Sequence, residues 1–221
     1  MMTVLIPAKA FARSKQRLAP VLFPAERAAL ATGLLHRTIK VTANALPESR
    51  IIVAAEDAAV ARAALSAGAD TAIACSGRDL NADLAEAAAS VPPDHALMVI
   101  HTDLPLLAAA DLQALAAQET PFTLCPDTGG HGTNAVLFKT EQRFFHFGAA
   151  SCARHQRAAA RRGLFCHLLK RSGFAHDLDR PEDWQRFAEI ARPLMQVKSG
   201  VNAEPCRDAM PVANSGLAPC S

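Results

Sequence analysis

Three aspartates are the strongest candidates for holding a metal ion. Asp103 closely follows the most apolar predicted strand, residues 97–100. Asp177 and Asp179 occupy alternate positions in a later segment, so that in an extended chain both project to one side. Carboxylates placed where a buried strand ends suit Mg²⁺, a hard cation that shares its oxygen ligands with phosphates. Aspartates at such places also cap turns and helices, which is the competing structural explanation.

A basic segment follows the first predicted strand, residues 4–6. Its four cations lie within nine residues and include Lys9, Lys15 and Arg17. In an open α/β sheet, ligands bind beyond the carboxyl ends of the strands, where these side chains can neutralise a triphosphate. A solvated, charged helix face has the same composition. The chain lacks GxxxxGK[ST] and GxGxxG, which argues against a P-loop enzyme and a dinucleotide-binding Rossmann site.

Two glycine-containing segments could hold an anionic substrate. Residues 126–134 carry three glycines in four positions, and Thr133 and Asn134 then supply donors for a phosphate or carboxylate. Residues 147–151 lead into an arginine-rich helix with Ser151 as its expected cap, and the amino end of such a helix attracts anions. The alternatives are an ordinary hairpin turn and a capped amphipathic helix.

The elements that must position these residues alternate between strands and helices. Continuous apolar strands predict a mostly parallel central sheet with helices on both faces, an α/β sandwich. The loop at residues 126–132 is too short for a crossover helix, so strands 122–125 and 135–138 should form a small antiparallel insertion. The other predicted strands are residues 4–6, 51–55, 71–74, 97–100 and 174–178.

The helical spacing of apolar residues predicts the helices between these strands. They span residues 24–46, 80–89, 111–117 and 151–162, together with one between the Asp57 cap and Gly68 and a last one that begins at Pro181. After residue 191 the pattern gives way to Gly, Pro, Ser and Asn, which indicates a flexible C-terminal tail at residues 192–221. We therefore expect one domain at residues 1–191.

Composition and charge exclude several classes of partner. The 221 residues are 50% hydrophobic and 20% charged, and the net charge of +2 gives no field suited to nucleic acid or an anionic membrane. Six cysteines show neither zinc-ligand spacing nor a disulfide framework. No stretch approaches the roughly 20 apolar residues of a membrane span. We expect a soluble, cytoplasmic protein without nucleic-acid or membrane partners.

The candidate segments, in this order along the chain, form a set of motifs. The motifs span residues 3 to about 190 and are Ile6-Pro7-Ala8-Lys9 with Ser14-Lys15-Gln16-Arg17-Leu18; Leu80-Asn81; Thr102-Asp103-Leu104-Pro105-Leu106-Leu107; Pro126-Asp127 with Gly132-Thr133-Asn134; Phe147-Gly148; Ser151 with His155; and Asp177-Leu178-Asp179-Arg180-Pro181-Glu182-Asp183. On these motifs the chain resembles the 2-phospho-L-lactate guanylyltransferase family of coenzyme F-420 biosynthesis, which includes phosphoenolpyruvate and 3-phosphoglycerate versions.

This resemblance implies a nucleotidyltransferase-like fold of the GT-A type. It implies a Mg²⁺-dependent enzyme that transfers GMP from GTP to a small phosphorylated acid and releases pyrophosphate. The acid would be 3-phospho-D-glycerate, phosphoenolpyruvate or 2-phospho-L-lactate, and a downstream deazaflavin transferase would take the product. A homodimer is compatible with these features.

The resemblance also implies roles for individual residues. Asp103 and Asp179 would hold the metal with support from Asp177. From their charge, we expect Lys15 and Arg17 to assist Asp103 in catalysis by neutralising the triphosphate. The residues along the nucleotide would be Pro7, Ala8, Lys9, Lys15 and Asn81. The residues around the acceptor's phosphate and carboxylate would be Thr133, Gly148 and Ser151.

Two positions depart from the family pattern. Asp79 precedes Leu80 and Asn81 where a glycine is common, and His101 lies two residues before Asp103 where related transferases often carry an acid. His101 could orient a metal-bound water, but we expect it to be a strand-end residue with a structural hydrogen bond.

Two other functions compete with this one. A transferase for a sugar phosphate or a molybdopterin-type cofactor would share the fold but would have a longer, glycine-rich first loop, whereas no glycine precedes Gly33 here. A non-catalytic nucleotide-binding regulator would keep the basic loop and lose the metal ligands, whereas Asp103, Asp177 and Asp179 are all present.

Overall fold

A seven-stranded sheet forms the centre of the computed structural model, which describes residues 1–196. The strands are β1 (Met2–Ala8), β2 (Arg50–Ala55), β3 (Thr71–Ala74), β4 (Ala96–Ile100), β5 (Phe122–Pro126), β6 (Thr133–Phe138) and β7 (Cys166–Leu168). Across the sheet they follow the order β3-β2-β1-β4-β6-β5-β7.

Strands β1 to β4 form the parallel part of the sheet, with β1 paired to both β2 and β4. Strand β6 is antiparallel to β4 and to β5, and β7 pairs with β5 in parallel. The predicted mostly parallel sheet with an antiparallel pair is therefore confirmed. Because β6 lies beside β4 and runs the other way, β6 begins at the edge of the sheet where β1 and β4 end.

Seven α-helices cover this part of the chain. They are α1 (Pro24–Ala45), α2 (Ala58–Ala67), α3 (Leu80–Ala88), α4 (Ala109–Ala116), α5 (Ser151–Arg161), α6 (Ser172–Ala175) and α7 (Pro181–Leu194). The ends of α2 are formed as predicted: the Asp57 carboxylate accepts the Val60 N–H at 2.8 Å, and Gly68 adopts a φ of 105°. Within residues 1–196 no helix is both long and apolar enough to cross a membrane.

The core consists of three clusters set by the alternation of side chains along the strands. In β1, Val4 and Ile6 pack with apolar residues of α1, α2 and α4, whereas Leu5 packs on the other face with residues of α3 and α5. The third cluster joins α1 to α7 through residues such as Leu34 and Trp184. Helices on both faces thus bury the sheet and hold the carboxyl ends of β1 and β4 in place.

The predicted strand at residues 174–178 is wrong. Residues Ser172–Ala175 form the short helix α6, and no regular element lies between α6 and α7. The carbonyl groups that a sheet ladder would use are bound by other groups: the Asn134 side chain donates to the Phe174 carbonyl at 2.7 Å, and the Thr128 hydroxyl donates to the Ala175 carbonyl at 2.8 Å. Phe174 is fully buried, which explains the apolar pattern.

The last helix continues past the predicted domain boundary at residue 191. Helix α7 ends at Leu194, and Leu194 and Met195 pack against the third cluster, which stabilises a helical turn that composition alone assigned to the tail. A methyl group at Gly33 of α1 would overlap the Leu194 carbonyl, so the two helices are in close contact. The rest of the predicted tail, residues 197–221, lies outside the described residues.

Candidate active site

The predicted site residues gather at the edge of the sheet where β1 and β4 end and β6 begins. Ile100 pairs with Ala135 across β4 and β6, and the His101 N–H donates to the Asn134 carbonyl at 3.1 Å. The segment after β4 that carries Asp103 therefore lies next to Thr133, the first residue of β6. The parallel pairing of β1 and β4 brings the loop after β1 to the same edge.

Two ion pairs join this basic loop to the two acidic segments. Lys15 Nζ lies 3.0 Å from Asp103 Oδ2, and an Arg17 guanidinium nitrogen lies 2.7 Å from Asp179 Oδ2. The acidic segments also contact each other, because the Leu178 N–H donates to the Asp103 carbonyl at 2.8 Å. Three distant stretches of the chain thus meet at one place.

Lys15 combines a largely buried side chain with an unusual backbone conformation. Its side chain is only 9% exposed, and its backbone adopts a φ of 55° and a ψ of 34°, which residues other than glycine rarely do. Such backbone strain concentrates at functional sites, where the surrounding structure holds it in place. The Arg17 side chain is 69% exposed and therefore contributes a more solvated charge.

The environments of Asp103 and Asp177 move their pKa values in opposite directions. Burial alone would raise the pKa of Asp103, but Lys15, with help from His101, holds it below the ordinary value of 3.8. The pKa of Asp177 is raised, first by burial and then by the nearby charge of Asp103. Of these two carboxylates, Asp103 is therefore the one whose ionised form the site favours.

The chemistry of these carboxylates fits Mg²⁺. Asp103 Oδ1 is buried and has no hydrogen-bond partner within residues 1–196, so a hard cation would satisfy it. In the described part of the chain, no three carboxylate, imidazole or thiol groups converge into a ready-made metal cluster. Mg²⁺ commonly binds one or two carboxylates and takes its other ligands from phosphates and water.

The first loop is anchored by Glu56, which sequence reasoning missed. Glu56 follows β2, accepts the Ala10 N–H at 2.8 Å and forms an ion pair with Arg13. Its own N–H donates to the Ala8 carbonyl at 3.1 Å. Two acids, Glu56 and Asp57, follow β2 opposite the basic loop after the neighbouring strand. Because Asp57 caps α2, Glu56 was the acid left to contact that loop. Lys9, the remaining cation of this loop, is exposed and forms no ion pair among residues 1–196.

The residues predicted along the nucleotide lie in two places. Pro7 and Ala8 are the last two residues of β1, and Asn81 lies in the first turn of α3. The Asn81 side-chain amide accepts the Phe147 N–H at 2.7 Å and donates to the Phe147 carbonyl at 3.2 Å. Asn81 therefore ties α3 to the segment before α5. Asp79 caps α3 by accepting the Ala82 N–H at 2.8 Å, which explains an aspartate there in place of glycine.

The residues predicted around the acceptor lie together at the start of α5 and β6. Gly148 has a φ of 111°, and the Ser151 N–H donates to its carbonyl at 3.1 Å. The prediction that Ser151 caps the helix is wrong: the cap is Ala150, with a φ of 50°, and Ser151 is the first helical residue. The tight turn through Gly148 and Ala150 displaces the serine by one position. Thr133 Oγ1 contacts His155 Nδ1 at 3.2 Å.

The His101 ring packs against Phe147, and its Nε2 atom makes no hydrogen bond within residues 1–196. The two ring centroids lie 4.9 Å apart, and Nε2 is buried. Burial lowers the pKa of His101, although Asp103 opposes this. The prediction that the His101 side chain makes a structural hydrogen bond is therefore wrong for Nε2, and in the described part of the chain it is the backbone N–H of His101 that makes such a bond, to the Asn134 carbonyl. A cavity of about 390 Å³ near Met1 and His95 lies at the opposite edge of the sheet and contains none of the candidate residues.

Comparisons with known proteins identify the family of the chain. Residues 2–189 match the family described as "Guanylyl transferase CofC like". The chain is 36% identical to the phosphoenolpyruvate guanylyltransferase of Rubrobacter xylanophilus over 82% of this chain and 91% of that protein. It is also 36% identical to the 3-phospho-D-glycerate guanylyltransferase of Phenylobacterium zucineum, over 81% of this chain and 84% of that protein.

A solved structure supports the fold independently. A nucleotidyl transferase from Methanothermobacter thermautotrophicus aligns with a TM-score of 0.57, covering 87% of this chain and 99% of that chain at 13% identity. Identity at this level shows the fold alone, and it confirms the predicted nucleotidyltransferase-like architecture. The match over nearly all of residues 1–191 and the identity to guanylyltransferases lead to one assignment: the chain belongs to the CofC-like guanylyl transferase family.

Proposed function

We propose that the chain is a Mg²⁺-dependent guanylyltransferase of coenzyme F-420 biosynthesis, which transfers GMP from GTP to a small phosphorylated acid. The observation that carries the proposal is the meeting of Lys15 with Asp103 and of Arg17 with Asp179 at one edge of the sheet. Family membership supports guanylyl transfer. The names of the relatives support phosphoenolpyruvate or 3-phospho-D-glycerate as the acceptor, and the motifs also allow 2-phospho-L-lactate.

The reaction needs no nucleophile from the protein. A phosphate oxygen of the acceptor attacks the α-phosphorus of GTP, and the new P–O bond forms as the bond to the oxygen bridging the β-phosphate breaks. The bridging oxygen leaves with the bonding electron pair as part of pyrophosphate. The main obstacle is repulsion between two anions, so catalysis rests on positioning and charge neutralisation.

The basic loop supplies the cations for this task. Lys9 is exposed and without an ion-pair partner in residues 1–196, whereas Lys15 and Arg17 each contact a carboxylate. To neutralise the triphosphate, Lys15 and Arg17 exchange these carboxylates for phosphate oxygens. When bound by Asp103 and Asp179 with Asp177 in support, Mg²⁺ would supply positive charge against the phosphates of both substrates.

The acceptor fits beside Thr133, Gly148 and Ser151. Thr133, at the start of β6, lies next to the segment that carries Asp103. Gly148 has a φ of 111°, which residues with a side chain rarely adopt, and without a side chain it lets the ligand approach the backbone closely. We place the reaction in the cytoplasm, in line with the free thiols of all four described cysteines.

The proposed function is tested by analysing the products that form with each of the three acids in a separate reaction. The protein is incubated with GTP, Mg²⁺ and one of the three acids, together with the deazaflavin acceptor and its downstream transferase, which trap an unstable guanylylated product. Pyrophosphate release and a mass spectrum of the trapped product with one acid would support the proposal and name the acceptor.

The same experiment distinguishes the competing functions. Pyrophosphate release with a sugar phosphate, and with none of the three acids, would support a sugar-phosphate transferase. Calorimetry that shows GTP binding independent of Mg²⁺, combined with no pyrophosphate release from any acid, would instead support a non-catalytic regulator.

A further inference from the structure

We propose that His155 is a positioning residue that fixes the Thr133 hydroxyl as a hydrogen-bond donor toward the anionic acceptor. This inference rests on the proposed function and deepens it. It concerns a residue in the second turn of α5 that lies behind the acceptor residues and is completely buried.

His155 uses both ring nitrogens to join three segments. Nε2 lies 3.0 Å from the backbone nitrogen of His146, which donates to it. Nδ1 lies 3.2 Å from Thr133 Oγ1 at the start of β6. The imidazole therefore connects helix α5, the segment before Gly148 and the first residue of β6, all of which surround the candidate acceptor site.

These contacts determine which nitrogen carries the proton. A backbone N–H can only donate, so Nε2 must be the unprotonated nitrogen that accepts from His146. In the neutral ring the proton is then on Nδ1. The Ser151 carbonyl, which can only accept, also faces the ring and is consistent with a proton on Nδ1.

The same contacts determine the direction of the Thr133 hydroxyl. Because Nδ1–H donates to Oγ1, the single hydrogen of the hydroxyl must point away from His155. Within residues 1–196, Oγ1 makes no other hydrogen bond, so this hydrogen is available. Phosphate and carboxylate oxygens are acceptors, and a threonine held as a donor is what such an anion requires.

The surroundings keep the ring neutral. The rings of Phe122, Phe144 and Phe147 pack around His155, with centroid distances of 4.9 to 6.4 Å. Burial lowers its pKa to about 4, and the charges of His146, Arg154 and His101 act in the same direction, opposed by the Ser151 carbonyl. A neutral ring with a fixed tautomer therefore persists through the range in which an enzyme of this kind would be assayed.

Two substitutions separate the two contacts of His155. His155→Asn keeps a donor close to the position of Nδ1 and loses the acceptor for His146, whereas His155→Gln keeps an acceptor close to Nε2 and loses the donor to Thr133. With the acid that the wild-type protein turns over, H155Q should raise the KM for the acid about tenfold and leave the KM for GTP within twofold. H155N should recover most of the acceptor affinity.

A double substitution tests whether His155 acts through Thr133. Thr133→Val removes the hydroxyl and should raise the acceptor KM by itself. Adding H155Q to T133V should then change the acceptor KM by less than twofold, because there is no hydroxyl left to orient. Multiplicative effects of the two substitutions, or equal losses for GTP and acceptor, would overturn the proposal and leave His155 as a packing residue.

Nuclear magnetic resonance tests the tautomer without any turnover. Long-range ¹H–¹⁵N correlation spectra of the wild-type protein at pH 8 to 5.5 should show His155 protonated at Nδ1 only. A proton on Nε2 would overturn the proposal even if the enzyme is active. If no acid gives pyrophosphate release while the spectra show the Nδ1 tautomer, the proposed function fails and the hydrogen-bond network stands.

Discussion

Lys15 and Asp103 form an ion pair 88 residues apart in sequence, with Nζ and Oδ2 separated by 3.0 Å. A second pair, Arg17 with Asp179, lies beside it. Cations suited to a triphosphate are therefore held by carboxylates suited to a metal ion. In the proposed mechanism, the substrates and the metal would replace these ion pairs and satisfy both sets of charges.

Removing the Lys15 charge should affect both activity and stability. Lys15→Met leaves the partly buried Asp103 without its partner, so we expect a Tm lower by roughly 4 °C and a kcat/KM for GTP about 100-fold lower. Arg17→Met should cost about tenfold in activity with little change in Tm, because Arg17 is 69% exposed. Lys40→Met, at an exposed position of α1, is the control. Equal effects of K15M and R17M would contradict this view of the loop.

Substitution of Asp177 should stabilise the protein and impair turnover. Because burial and Asp103 raise the pKa of Asp177, its ionised form destabilises the folded state, and that cost grows as the pH rises through the folded pKa. Asp177→Asn should therefore raise Tm at pH 7 by roughly 2 °C and lower kcat about tenfold. The gain in Tm should shrink toward acidic pH. Asp94→Asn, at the opposite edge, should change neither quantity; a lower Tm for D177N would argue against the assigned environment.

Two glycines with similar backbones provide a matched pair. Gly148 and Gly68 have φ angles of 111° and 105°, and neither has an atom closer than 3.8 Å to an added Cβ. Alanine at either position should cost about 2 kcal/mol of folding stability from backbone strain. Only Gly148→Ala should raise the acceptor KM, by about tenfold, since Gly68 ends α2. An unchanged acceptor KM in G148A would remove Gly148 from the site.

The buried His155 should make stability depend on pH. Its folded pKa of about 4 lies below the ordinary value of 6.5, so the unfolded chain binds the additional proton between these values. The contribution of the neutral His155 to the free energy of unfolding is fully present above about pH 6.5. It is lost as the pH drops toward 4, which lowers the free energy of unfolding by on the order of 3 kcal/mol. Urea denaturation of wild type and H155Q at pH 7, 6, 5 and 4.5 isolates this contribution. Parallel pH profiles for the two proteins would contradict it.

Most of the sheet could be predicted from sequence because its strands are continuous apolar runs, and the start of α2 because Asp57 caps it. The short loop at residues 126–132 was sufficient to predict the antiparallel pair β5 and β6. Sequence could not place β6 between β4 and β5, since that depends on which strand edge is free after β4 has paired with β1. The apolar residues around Phe174 indicated a strand, whereas a buried side chain and an Asn134 contact explain them.

The candidate site was predictable at the level of segments and less so at the level of contacts. The basic loop after β1 and Asp103 after β4 converge because parallel strands end at one edge. The segment with Asp177 and Asp179 follows no strand and is instead joined to the site by the Leu178 N–H, which donates to the Asp103 carbonyl.

Individual contacts depend on how side chains from distant elements are oriented in the fold. Examples are the ion pair between Lys15 and Asp103 and the two hydrogen bonds between the Asn81 side chain and the Phe147 backbone. The sequence could not predict that Ala150 caps α5, because alanine rarely adopts a φ of 50°.

In the proposed mechanism, Asp103 and Asp179 act together with Mg²⁺ in front of the basic loop. Pyrophosphate release from GTP and the active acid, measured across a Mg²⁺ titration for wild type, D103N and D179N, tests it most directly. We predict release that requires Mg²⁺ in wild type and falls at least 100-fold in both variants, each with a cooperative melting transition. Release by the wild type in excess chelator, or near-normal release by D103N, would contradict the account.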